Sequence, residues 1–129
     1  MFPFSFQEYL DFVEVSVSKT DFFTAEGKAK LKKHFEIYLY EGGFPEYLTN
    51  KNPEYLKSLY DSILYRDIMV RNNINNELEV RELGYFVASN ISKPISFNSL
   101  KSIINVKHVN TVKSYLKYFE DTYLVFFLI

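Results

Sequence analysis

A chain of 129 residues with 47% apolar content can bury one core or two small ones, and it is not composed like a disordered chain. It has no cysteine, which excludes a disulfide framework and thiolate metal sites, and its only two histidines, His34 and His108, lie too far apart for zinc-ligand spacing. The formal net charge of −1 hides an uneven distribution: −4 over residues 1–82, +5 over residues 83–119 and −2 over residues 120–129.

No basic region precedes an apolar run at the start, so no secretory leader is expected. Ser5-x-x-Glu8 is a capping box that predicts a helix from about Phe6 to Val15, with Phe6, Tyr9, Leu10, Phe12 and Val13 inward. Residues 16–23 read as a connector. A second helix runs from Thr24 or Ala25 to Tyr40, with Leu31, Phe35, Tyr38 and Leu39 inward and Lys28, Lys30, Lys32 and Lys33 outward. Gly42-Gly43 stops it, and Glu41-Gly-Gly-Phe-Pro-Glu46 reads by local physics as a helix stop and a turn.

Asn52-Pro53 opens the longest helix, running to about Asn72 with Leu56, Leu59, Tyr60, Ile63, Leu64, Ile68 and Met69 inward. Asp67 and Arg71 sit four apart and can pair on its surface. The polar break at residues 72–76 supplies the N-cap of a helix over Glu77–Ser89, with Leu78, Leu83, Phe86 and Val87 inward. A turn at residues 90–94 and a very short strand at Ile95-Ser96 lead to a helix capped by Ser96 or Asn98 and ending at Ile104. After a turn at residues 105–109, a last helix spans about Asn110 to Asp121, with Val112, Leu116 and Phe119 inward. The apolar run Tyr123–Ile129 reads as a strand and is too short to span a bilayer. The expectation is a mainly α protein: a helical bundle over residues 1–82, then a winged-helix-like (helix-turn-helix) module over residues 83–129 with a terminal β-strand. Its expected home is the cytoplasm, with no membrane partner.

The 37 residues from Leu83 to Phe119 contain no Asp or Glu but carry five lysines and His108. On the last helix, Asn110, Thr111, Lys113, Ser114 and Lys117 lie outside the inward stripe, where they can reach phosphates or base edges. With Lys101, Lys107 and His108 they form the candidate nucleic-acid-binding set, and DNA is the candidate partner. A lysine-rich helix is as often a plain solvated face, and many helix-turn-helix modules contact protein instead. The four glycines form neither G-x-x-x-x-G-K-[ST] nor G-x-G-x-x-G. Glu77/Glu79 and Glu120/Asp121 fall at helix ends, where solvated or dipole roles suit them better than acid–base work. The residues give no catalytic constellation and no metal site.

Four motifs occur in order: Phe2-Pro-Phe-Ser-Phe-x-Glu-Tyr-Leu10, Gly42-Gly-Phe-Pro-Glu46, Leu59-Tyr-x-Ser-Ile-x-Tyr-Arg-Asp-Ile68, and Thr111-Val-x-x-Tyr-Leu-x-Tyr-Phe-Glu-Asp-x-Tyr-Leu124. Together they resemble the carboxyl-terminal part of prokaryotic P-loop ATPases of the AAA+ class, archaeal and bacterial, whose members carry a carboxyl-terminal domain of unknown function. The resemblance covers nearly the whole chain. It implies that residues 1–82 are a lid-like helical region and residues 83–129 a winged-helix domain truncated in its wing. It also implies that ATP and Mg belong to full-length relatives. The Walker A and B core is missing from this sequence, so the chain is expected to be a fragment or degenerate paralogue without a cofactor or enzymatic activity of its own. By the same resemblance Arg66 is the residue that approaches nucleotide phosphates in a full-length relative. The leading expectation is thus a non-catalytic binding or regulatory module that contacts DNA. The alternative is a protein-interaction or oligomerisation module that docks on a separate ATPase core. An unpaired Tyr123–Ile129 strand is expected to pair with Ile95-Ser96 or with a second chain.

Overall fold

A computed structural model describes residues 2–128, and the chain divides into two compact units, Met1–Leu56 and Lys57–Ile129. Among the described residues every regular element is helical. The boundary expected at residue 82 falls inside a helix of the second unit, whose core draws on residues from both sides of it.

In the first unit, Ser5 caps α1 (Phe6–Phe12) through the expected box: its N–H donates to Glu8 Oε2 at 2.7 Å and its Oγ accepts from Glu8 N–H at 3.3 Å. The helix stops at Phe12 rather than Val15, because Glu14 turns to a left-handed φ of 59°. Tyr9 and Leu10 are buried, whereas Phe12 and Val13 are exposed. The connector holds a 3₁₀ turn, Lys19–Phe22, that packs on α2 (Ala25–Glu41). Leu31 and Tyr38 of α2 turn in; Phe35 stays largely open beside Phe6, and Leu39 is exposed, against expectation. Tyr38 Oη donates to the Phe4 carbonyl at 2.6 Å, and Phe4 N–H donates to the Gly43 carbonyl at 2.6 Å. Gly42 ends α2 at φ 82° as predicted. The segment beyond it is more than a turn: Pro45 starts a short helix, α3 (Pro45–Asn50), which buries Leu48 against Tyr9 and Leu10.

Pro53 starts α4 (Pro53–Ser62), and Asn52 Oδ1 accepts from Glu54 N–H at 3.1 Å. From Ile63 to Val70 the same helix is wound as a π-helix. The buried residues explain the winding. Ile63, Leu64, Ile68 and Met69 recur at i, i+1, i+5 and i+6. An α-turn would spread them over more than half the circumference, whereas i→i+5 winding stacks Ile68 over Ile63 and Met69 over Leu64. Burying each such side chain is worth about 1.5–3 kcal/mol, enough to outweigh the poorer winding. The expected Asp67–Arg71 pair does not form among the described residues; Arg66 Nε instead lies 3.4 Å from Asp67 Oδ1.

After the turn at residues 71–76 come α5 (Glu77–Ser89), α6 (Phe97–Ile103) and α7 (Val109–Asp121). Asn76 caps α5 and Ser96 caps α6. Val80 of α5 is wholly buried, while Leu78, expected inside, is exposed. Gly84 lets Tyr60 and Phe119 close over α5. Val80, Leu83, Leu100, Ile104, Val112, Leu116 and Phe119 make one core with the π-wound face. Arg81 ties α5 back to α4, with Nη1 3.1 Å from Asp61 Oδ1 and Nε 2.6 Å from Glu77 Oε1.

No strand forms at Ile95-Ser96, where Ser96 is spent as a helix cap. None forms over residues 123–128 either; Ile129 lies outside the described residues. Leu124, Val125 and Phe127 pack on the core as irregular chain, and Phe126 and Leu128 point outward. A lone extended segment without a partner has no ladder to join. The helical part of the expectation holds, and the winged-helix topology with its β-strand does not.

Candidate nucleic-acid interface

The buried stripe Val112, Tyr115, Leu116 and Phe119 fixes how α7 rotates against its neighbours. Asn110, Lys113, Ser114 and Lys117 are therefore exposed, and Thr111 is half-buried on the flank. Lys107 and His108 precede the helix and are exposed; Lys101 is half-buried on α6. Lys113 Nζ sits 5.3 Å from the Phe97 ring centroid, a cation–π contact that holds its charge between α6 and α7.

Asn110, Thr111, Lys113 and Ser114 thus lie on the N-terminal half of α7, with Lys107 and His108 just before it. Lys117 stands apart in character: its Nζ lies 2.7 Å from Asp121 Oδ1, and that carboxylate raises the lysine's pKa. No carboxylate pairs with Lys101, Lys107 or Lys113 among the described residues. Arg66, in the π-wound segment, is exposed beside Asp67.

The charges of α7 run against its own dipole. Acidic residues are favoured at a helix N-terminus and basic ones at the C-terminus, each by about 0.3–1 kcal/mol. Here the first turn has no acid, Lys107 and His108 flank the N-terminus, and Glu120 and Asp121 occupy the last turn without a base. His108 is the N-cap residue but makes no side-chain cap bond. The positive end of the helix is left with the Lys107 cation beside it and no acidic residue in its first turn.

One flank of α7 also borders a shallow, open hollow that the sequence did not announce. Asn72, Asn73, Ile74, Asn75 and Asn76 line one side of it, and Asn110, Thr111, Ser114, Tyr115 and Tyr118 the other. The four asparagines were visible as a polar break, but nothing local says that α7 packs beside them. Beneath it, Tyr115 Oη donates to Glu79 Oε2 at 2.7 Å. Burial first, and then the carboxylate, push the Tyr115 phenol up to about 12.

Among the described residues no group of three or more His, Cys, Asp or Glu side chains could hold a metal ion, and no helix is long and apolar enough to cross a membrane. The chain is 33% identical over 136 aligned residues to an uncharacterized protein of Methanocaldococcus jannaschii. That alignment takes in 98% of this chain but 30% of the relative, so the chain spans about a third of the relative's length. No solved structure matches it. Residues 32–129 match the model of a family described as a domain of unknown function (DUF8612), and the chain belongs to that family.

Proposed function

We propose that the second unit is a nucleic-acid-binding helical module in which the N-terminal half of α7 meets the phosphate backbone. The observation that carries the reading is the reversed charge of α7. Phosphates placed at its N-terminus supply the missing anion, meeting Lys107, His108 and Lys113 at the positive end of the helix dipole. Lys101 on α6 extends the set, while Asn110, Thr111 and Ser114 offer neutral hydrogen bonds beside it. Helices α5, α6 and α7 serve as a wingless helix-turn-helix. Lys117 contributes less, because binding a phosphate there competes with Asp121.

In this reading the chain is a non-catalytic part of a P-loop ATPase of the AAA+ class, as its four motifs suggest. ATP and Mg are the larger protein's ligands, and Arg66 reaches toward its nucleotide phosphates. A second reading, docking on a separate ATPase core, is favoured by apolar side chains left open in each unit: Leu39 and Tyr40 in the first, Tyr65 and Val70 in the second. Phe126 and Leu128 give the carboxyl-terminal tail a similar capacity for self-association.

Fluorescence anisotropy with labelled DNA tests the leading reading. Binding that weakens steeply with salt is the expected result, and no salt-sensitive binding at low ionic strength overturns it. ATP turnover by this chain alone contradicts its non-catalytic role.

A further inference from the structure

We infer that the hollow between the asparagine turn and α7 receives a single unpaired base of a DNA strand whose phosphates lie on the N-terminal half of α7. The inference rests on the reading of α7 as a phosphate-binding helix and names what that helix would hold.

The chemistry of the lining points first to a base. Asn72 and Asn76 are committed to the fold: Asn72 Nδ2 donates to the Ile68 carbonyl at 2.8 Å, and Asn76 Oδ1 caps α5. The side chains of Asn73, Asn75, Asn110, Thr111 and Ser114 make no hydrogen bond among the described residues. Every residue lining the hollow is uncharged. With no cation in the lining, nothing there favours a carboxylate or a phosphate over a neutral group. The set suits a planar heterocycle that presents donors and acceptors together, since an amide side chain can pair with adjacent donor and acceptor positions on a base edge. Half-buried Tyr118 and Ile74 add the apolar surface on which a base stacks, with the Tyr115 ring buried behind them, its centroid 6.5 Å from that of Tyr118.

Shape points the same way. A helix that reads duplex DNA does so as a protruding element laid in the major groove. On this side α7 is not a free ridge: its Asn110, Thr111 and Ser114 edge is one wall of a hollow whose other wall is the turn. A base that has left the stack enters such a space, and paired bases do not.

Charge agrees with both. The neutral hollow adjoins Lys107 and His108 through Asn110 and Thr111, so a strand can leave its base in the hollow and its flanking phosphates on the Lys107 ammonium and the His108 ring N–H.

The test compares labelled single-stranded DNA with a duplex of the same sequence, using the full chain at low salt. The single strand should bind at least about tenfold more tightly. Asn73 has a left-handed φ of 54°, so Asn73→Gly removes the amide without straining the backbone. Combined with Asn75→Ala and Ser114→Ala, all at exposed positions, it should cost roughly tenfold in single-strand affinity, corresponding to 1.4 kcal/mol, and leave the salt slope unchanged. A 2-aminopurine in the bound strand should change its fluorescence with the parent chain and not with the triple variant. Equal affinity for single strand and duplex, or a triple variant that binds like the parent, overturns this inference and leaves the phosphate-binding role of α7 standing. Absence of any DNA binding overturns both.

Discussion

Gly27 sits where α2 meets the 3₁₀ turn, and a Cβ built there lies 2.3 Å from the Asp21 Cα. Backbone cannot swing aside as a side-chain tip can. Gly27→Ala should therefore destabilise the first unit by about 1–3 kcal/mol, although alanine favours the helix by roughly 1 kcal/mol. The midpoint of a guanidinium titration followed by far-UV circular dichroism measures the difference. Tyr115 offers a pH-dependent counterpart. Its folded pKa, about 12, exceeds the ordinary value of 10.0, so its contribution is complete below pH 10 and is lost as pH rises from 10 to 12. Tyr115→Phe should lower stability at neutral pH by about 1 kcal/mol. The gap between the two proteins should narrow across that alkaline window, as read by urea midpoints at successive pH values. Neither contact is legible in sequence. Tyr115 and Glu79 are 36 residues apart, and nothing at Gly27 announces the backbone of Asp21. Ser5 was legible as a cap, Asn76 only as part of a polar break and Ser96 as one of two candidates, because a cap acts within three or four residues of itself.

The helices show the same division between local and distant causes. The inward residues Ile63, Leu64, Ile68 and Met69 can be named from spacing, but their π winding cannot, because a broad α-helical face admits the same residues. Removing one exposed residue from that turn tests the explanation. With Tyr65 deleted, the four apolar side chains recur at i, i+1, i+4 and i+5, which is α-helical spacing. The shortened protein should keep its helical circular dichroism and lose none of its thermal midpoint. A drop comparable to emptying the core, about 2–5 kcal/mol, would show that the π winding serves something other than packing. The failed strands have an equally physical cause: Ile95-Ser96 and residues 123–128 have β-like composition, but pairing is a property of two segments and composition describes one. On α7 the expected outward residues are exposed except Thr111, which is half-buried, and the ion pair with Asp121 divides Lys117 from the rest.

For the molecule as a whole, a net charge of −1 conceals a +5 segment in residues 83–119, and that segment lies within the second unit. The family match covers residues 32–129 and so includes that unit entire. Charge distribution was fully visible in the sequence, whereas its opposition to the α7 dipole required knowing where the helix begins and ends. The most direct measurement is the salt dependence of DNA binding for the parent chain and for Lys107→Ala, Lys113→Ala and Lys117→Ala. For Lys107→Ala and Lys113→Ala the slope of log affinity against log salt should each be smaller by about 0.7–0.9, and for Lys117→Ala it should hardly change. Identical slopes for all four proteins, or a loss confined to Lys117→Ala, would contradict the assignment of phosphates to the N-terminal half of α7.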